Sequence, residues 1–294
     1  MNACTHHGRT TPIRAGAFVR TAGVLLVLAL LVMVGAVRAD APPPVPAEQP
    51  TGILFIAGGG HLPDAPRRHF VELAGGKNAR IVVIPTASRK ADLPNYPNNA
   101  MLFFQAEGVQ SVTLLHTRDR KLANDPEFVK PLTKATGVWL GGGSQLRLAD
   151  AYHGTLVEKE LRKILARGGV IGGTSAGAAI MSNPMIAGGP ASKAARVGEG
   201  FGLLDGVFID MHFSQRHRLP RLLGVLEQHP KTPGVGIDES TVLIVRGSTA
   251  TVEGVGNVRV CFLPPGTAAE AKIQVLKNGD KLDLLALQKA VAGL

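Results

Sequence analysis

From about residue 51 onward, short apolar runs alternate with longer stretches of helical period, and this alternation restricts the fold more than any other feature of the chain. The runs "GILFIA", "RIVVIP", "SVTLL", "GVWLG" and "GGVIGG" read as strands buried on both faces, while "DAPRRHFVELAG" and "TLVEKELRKILARG" read as helices. Such alternation predicts βαβ crossovers, hence an α/β fold with a mostly parallel sheet and helices on both faces. Past residue 200 the pattern changes. "VFIDMHF" reads as a further strand and "RLPRLLGVLEQH" as a helix, whereas "VLIVRG", "TATVEG" and "VRVCFL" read as antiparallel strands added at one sheet edge. Three strands end in glycine clusters: "AGGG" at 57–60, "LGGGS" at 140–144 and "GGTSAG" at 172–177. Each alone fits an ordinary tight turn, but together, beyond the carboxyl ends of parallel strands, they suggest one shared site. The first lacks the spaced G-x-G-x-x-G, and no P-loop lysine is present.

Ahead of this region, residues 1–39 carry Arg9, Arg14, Arg20 and Arg38, no acid, and the 17-residue uncharged run Thr21 to Val37. With small residues leading to Ala39, they read as a secretory signal peptide, and the chain as secreted or periplasmic. A run of this length also lies at the short limit for an uncleaved anchor. Residues 40–50 form a Pro-rich linker and 51–294 a single α/β domain. Loss of the leader's four arginines lowers the formal charge from +10 to +6, and no membrane association is expected thereafter. The Arg-Lys pairs at 89–90 and 162–163 make no basic stripe and only 4% of residues are aromatic, so nucleic acid is not an expected partner. Beyond the leader only Cys261 remains, which excludes an intramolecular disulfide and reads as a buried, inert thiol. His212 and His217 lack a third clustered ligand, so neither metal nor other cofactor is expected.

Chemistry concentrates at Gly173-Thr174-Ser175-Ala176-Gly177, a G-x-S-x-G pattern placed where a buried strand turns into the small-residue helix "AGAAIM". That is the context of a nucleophile elbow, whose strained turn tolerates only small neighbours. The Ala176 N–H, with a second donor from the "GGGS" turn at Gly143, is the expected oxyanion hole. Of the downstream histidines, His212 ends a predicted strand and is the favoured base, whereas His217 and His229 fall on the predicted helix. For the orienting acid, Asp210 and Glu239 remain tied, with Asp238 beside the latter in "GVGIDES". A base preceding Glu239 reverses the order of ordinary α/β-hydrolases.

The motifs "IPTAS" (84–88), "GGGSQLRL" (141–148), "GGTSAGAAIM" (172–181), "DMHFSQRHRLPRL" (210–222) and "GVGIDEST" (234–241) together resemble the cyanophycinase family of serine peptidases, relatives of aspartyl dipeptidase with a class I glutamine amidotransferase-like fold. The resemblance implies Ser175 as nucleophile, His212 as base and Glu239 as its acid. It also implies that Gln145, Asp210, Arg216, Arg218 and Arg221 line the substrate site. Family members release β-aspartyl-arginine dipeptides from the end of cyanophycin, a poly-aspartate carrying arginine on each side-chain carboxyl. Guanidinium forks suit carboxylate capture, so an acidic or zwitterionic peptide or polymer is the expected substrate. Where cyanophycin-degrading members carry Asp-Gln-His, this chain has Asp210-Met211-His212, which removes one polar contact. Two further readings stand beside the first: an aspartyl or isoaspartyl dipeptidase, and a non-catalytic protein binding an anionic ligand on the same fold. A homodimer is compatible with each.

Overall fold

The computed structural model describes residues 52–94, 96, 98–193, 195–264 and 271–294; the leader and Pro-rich linker lie outside them. The described residues fall within one compact unit, Glu48–Leu294. Its first half runs β1 (Ile53–Ala57), α1 (Asp64–Leu73), β2 (Arg80–Ile84), α2 (Asn99–Ala106), β3 (Ser111–Leu114), α3 (Pro126–Thr133), β4 (Gly137–Leu140), α4 (Gln145–Tyr152), α5 (Leu156–Ala166), β5 (Val170–Thr174) and α6 (Ala176–Ala179). Four short strands follow, β6 (Ser182–Asn183), β7 (Met185–Gly188), β8 (Arg196–Gly198) and β9 (Leu204–Asp205). The chain then forms β10 (Phe208–Met211), α7 (Leu219–Gln228), β11 (Gly234–Ile237), β12 (Thr241–Arg246), β13 (Thr249–Gly254), β14 (Val258–Phe262), β15 (Lys272–Leu276), β16 (Lys281–Asp283) and α8 (Leu284–Ala292).

The main sheet has the order β16-β13-β12-β1-β5-β4-β2-β3. Strands β1 to β5 are parallel, and β12, β13 and β16 extend the β1 edge antiparallel. Alternation along the strands divides the core into two layers, as the period-2 geometry of a pleated sheet requires. Ile53, Phe55, Ile81, Val83 and Trp139 point to the side covered by α1 and α2; Leu54, Ile56, Val82, Ile84, Val138 and Leu140 face the layer containing α3 to α6. On the first side Phe70 of α1 stands edge-on to Trp139, with ring centroids 5.1 Å apart. A Cβ at position 172 would fall 2.6 Å from the Phe70 ring, so this aromatic packing requires the glycine inside β5. On the second side α5 buries Val157, Leu161, Ile164 and Leu165, each contributing about 1.5–3 kcal/mol.

One expectation is corrected here. "VRVCFL" does not join the edge of the main sheet; it is β14 of a second sheet ordered β10-β11-β14-β15. The free side of β13 is taken by β16, and β14 pairs antiparallel with β11 and β15 instead. Within the second sheet β10 and β11 run parallel, Met211 opposite Ile237, which sets the residues following them side by side.

Candidate active site

The end of β1 and the loop after it join the two sheets. Their carbonyls accept three backbone hydrogen bonds in succession: Ala57 from Ser175 N–H at 3.1 Å, Gly58 from His212 N–H at 2.7 Å, and Gly59 from Ser240 N–H at 3.0 Å. One segment thus fixes the start of α6, the end of β10 and the residue after Glu239.

Ser175 sits between β5 and α6 with φ 53° and ψ −113°, a conformation that costs a non-glycine residue on the order of 1–3 kcal/mol. The turn is closed by contacts that exclude side chains. A Cβ at Gly173 would lie 2.3 Å from the Gly177 carbonyl oxygen, and one at Gly177 would lie 2.1 Å from that of Leu140. The turn at Ser175 is thus strained, and the small residues around it serve close backbone passage.

His212 follows β10 at φ 52°. Its Nε2 lies 2.8 Å from Ser175 Oγ and its Nδ1 lies 2.5 Å from Glu239 Oε1. This joins Ser175, His212 and Glu239 in one hydrogen-bonded line, with Glu239 partly open to solvent and His212 buried. Burial lowers the pKa of the His212 imidazole; the Glu239 hydrogen bond opposes this, and the nearby Arg216 cation adds to it. The net effect favours the neutral ring, the form able to accept a proton from a hydroxyl, relative to a free imidazole.

Asp210 does not orient His212. Its carboxylate is fully buried and bound by Arg221, with Nε donating to Oδ2 at 2.9 Å and Nη2 to Oδ1, and by Arg218 Nη1 at 3.1 Å. Arg218 Nη1 also donates to the Met211 carbonyl at 2.5 Å. The resemblance assigned Asp210 and Arg221 to the substrate, but with 0% and 4% exposure they present no surface to one. They form an internal ion cluster beneath the His212 turn, and Arg218 is half-buried at its edge. The Met211 side chain is likewise buried, against Arg218. Arg216, by contrast, is exposed and has no ionic partner among the described residues. Gln145 starts α4 and donates to the Ile186 carbonyl at 2.7 Å. His217 lies in a turn before α7 and His229 at its C-terminal cap, so neither is inside the helix expected for them.

Three backbone donors lie at the start of α6 and in the turn after β4. The N–H groups of Ala176, Gly142 and Gly143 are unbonded among the described residues. A Cβ at Gly142 would lie 3.5 Å from Ser175 Cβ, whereas Gly143 packs on the Ala87 carbonyl, which makes Gly142 the member of the turn closer to the serine. Beside them opens a cleft of about 170 Å³, lined by Tyr96, Asn98, Trp139, Gly142 and Thr174 among others.

Two glycines of the first cluster also shape the site. At Gly59 (φ +105°) a Cβ would fall 2.3 Å from the His212 ring, and at Gly60 (φ +69°) 2.6 Å from Glu239 Oε2. Only the cluster "AGGG" signalled them. Asp238, once a rival acid, turns away: burial pushes its carboxyl up, but bonds from Ser214 and Asn257 and the Arg259 charge hold it below its ordinary value. No metal-binding cluster occurs among the described residues, and none of their helices is long and apolar enough to cross a membrane.

A hydroxyl on a strained elbow, a neutral imidazole behind it and a carboxylate behind that, at the carboxyl end of a mostly parallel sheet, define a serine hydrolase. The profile of peptidase family S51 matches residues 54–253, and the chain belongs to that family of serine-type peptidases. A cyanophycinase of Geminocystis herdmanii is 31% identical over 235 residues, covering 73% of this chain and 86% of the relative. A cyanophycinase of Synechococcus elongatus is 37% identical over 198 residues, covering 65% of this chain and 61% of the relative. Among solved structures, a peptidase from an acI-B1 actinobacterium shares the fold, with a TM-score of 0.59 at 24% identity over 79% of this chain and 97% of that one.

Proposed function

We propose that this protein is a secreted exopeptidase that cuts cyanophycin to β-Asp-Arg dipeptides. The observation carrying the reading is the Ser175–His212–Glu239 line, with separations of 2.8 and 2.5 Å, in a chain 31–37% identical to cyanophycinases. In this reading His212 Nε2 takes the Ser175 proton as Oγ attacks the aspartyl carbonyl, and Glu239 stabilises the imidazolium. The oxyanion is received by the N–H groups of Ala176 and of the Gly142–Gly143 turn. His212 then protonates the departing amine, and the acyl-enzyme is released by water with His212 again the base. Arg216, exposed near His212, is the cation available to a substrate carboxylate. The N-terminal 39 residues direct export, which suits scavenging of polymer from outside the cell.

The test is incubation of residues 40–294 with cyanophycin, β-Asp-Arg and α-aspartyl dipeptides, with products identified by mass spectrometry. β-Asp-Arg released from polymer supports the reading. Cleavage confined to α-aspartyl dipeptides would replace it with a dipeptidase.

A further inference from the structure

A second cleft, of about 360 Å³, lies at the carboxyl end of the parallel strands, as Ser175 does, and is walled by Arg89, Asp92, Arg118, Arg147 and Asp150 over Ala151. Its size matches the lower range of small-ligand pockets. Two of the charges are spent on structure. Arg118 donates to Asp92 Oδ2 at 2.7 Å and to the carbonyls of Thr86 and Ser88, while Asp92 also holds His116 Nε2 at 2.9 Å. Arg147 places one arm on the Ala87 carbonyl at 2.6 Å. Arg89 and Asp150 are different: both side chains are exposed, and neither has a hydrogen-bonded or ionic partner among the described residues. One free cation and one free anion therefore face a single cleft, beside Arg147, which has only one guanidinium nitrogen bonded among the described residues.

We propose that this cleft is a remote subsite for a zwitterionic arm of the substrate, with Arg89 and Arg147 taking a carboxylate and Asp150 taking a guanidinium. The proposal rests on the cyanophycin reading and specifies how a polymer would be told from a dipeptide. Topology supplies the distance. The serine follows β5, and β4, β2 and β3 are its successive neighbours in the sheet. With strands about 4.8 Å apart, the ends of β2 and β3 stand roughly 10 and 14 Å from that of β5. An extended chain advances about 3.5 Å per residue, so the cleft would receive a unit about three to four residues from the bond being cut. The two sites share a wall. Arg147 and the oxyanion turn both rest on Ala87, whose carbonyl also accepts the Ser144 N–H at 2.9 Å. A single β-Asp-Arg unit carries only one carboxylate–guanidinium arm, so it cannot occupy the site at Ser175 and fill this cleft as well.

The experiment titrates the Ser175→Ala variant, alone and combined with Arg89→Ala or Asp150→Asn, with synthetic (β-Asp-Arg)₄ and with β-Asp-Arg, by calorimetry. Expected is about a tenfold weaker affinity for the tetramer from each added change, as for loss of a charge-assisted contact, with dipeptide affinity unmoved. Tetramer affinity within twofold of the Ser175→Ala parent in both variants would overturn the subsite while leaving the peptidase reading intact. Failure of the parent to bind either ligand, together with wild-type protein that leaves cyanophycin uncut, would overturn the substrate reading and the subsite with it.

Discussion

The carbonyl of Gly58 accepts the backbone N–H of His212 at 2.7 Å, tying the end of a strand in one sheet to the loop that follows the first strand of another. Because the preceding residue holds the Ser175 N–H and the following one the Ser240 N–H, the spacing of three site segments is inherited from one loop. Its exactness is a property of the main chain.

Gly59→Ala is therefore expected to reduce kcat on an aspartyl peptide by about 100-fold, since displacing a reacting group by an ångström has that effect. The added methyl would fall 2.3 Å from His212 Cε1, on a backbone at φ +105°. Steady-state kinetics beside thermal unfolding checks this: a kcat within threefold of wild type would show that the ring is not located by the loop.

Ser175→Ala and His212→Ala should each lower kcat by on the order of 10⁴ or more, and the double variant should be little worse than either, because the groups act as a unit. A fluorophosphonate probe should label wild type and not Ser175→Ala. Labelling that persists in the variant would move the nucleophile elsewhere.

The pH profile follows from the imidazole. His212 accepts a proton only when neutral, and burial, assisted by Arg216, places its pKa below the ordinary imidazole value of 6.5. Hence kcat/KM should rise through an acid limb below 6.5 and stay level above it. Arg216→Ala removes a cation that disfavours the imidazolium, so the limb should move to higher pH. A limb that stays put or moves down would contradict the placement of that charge.

Asp210→Ala should destabilise the fold by about 3–5 kcal/mol, the usual consequence of removing one member of a buried ion cluster. Arg216→Ala, at an exposed position, should change stability by less than about 0.5 kcal/mol. Urea unfolding of both distinguishes them; an Asp210→Ala protein as stable as wild type would return Asp210 to the substrate.

How much of this was readable in advance depended on distance along the chain. The elbow at Ser175 is a local event, strand into turn into helix, and G-x-S-x-G records all of it. Cys261 was readable too: its place in an apolar strand predicts an inert thiol, and burial pushes its pKa up to about 12. The His212–Glu239 pair depends on β10 and β11 running parallel, which the residues alone do not state; Asp210 and Glu239 stayed tied until the family resemblance separated them. Asp210 was misread because its partners, Arg218 and Arg221, come from the turn and helix after it, and an arginine in sequence looks alike whether it faces solvent or a buried carboxylate. "VRVCFL" announced a strand but not its neighbours, since period-2 alternation tells which face is buried and not which strand lies alongside. Gly59 was silent for a similar reason: a missing side chain does not name what approaches it.

The loop at 57–59 leaves the ribosome early, while the segments it holds lie near residues 175, 212 and 240. A nascent chain thus possesses its serine long before it can own a partnered histidine. Hydrolytic competence must wait until residue 239 has been made, roughly three-quarters of the way along residues 51–294, so the order of translation itself delays the appearance of an active hydrolase.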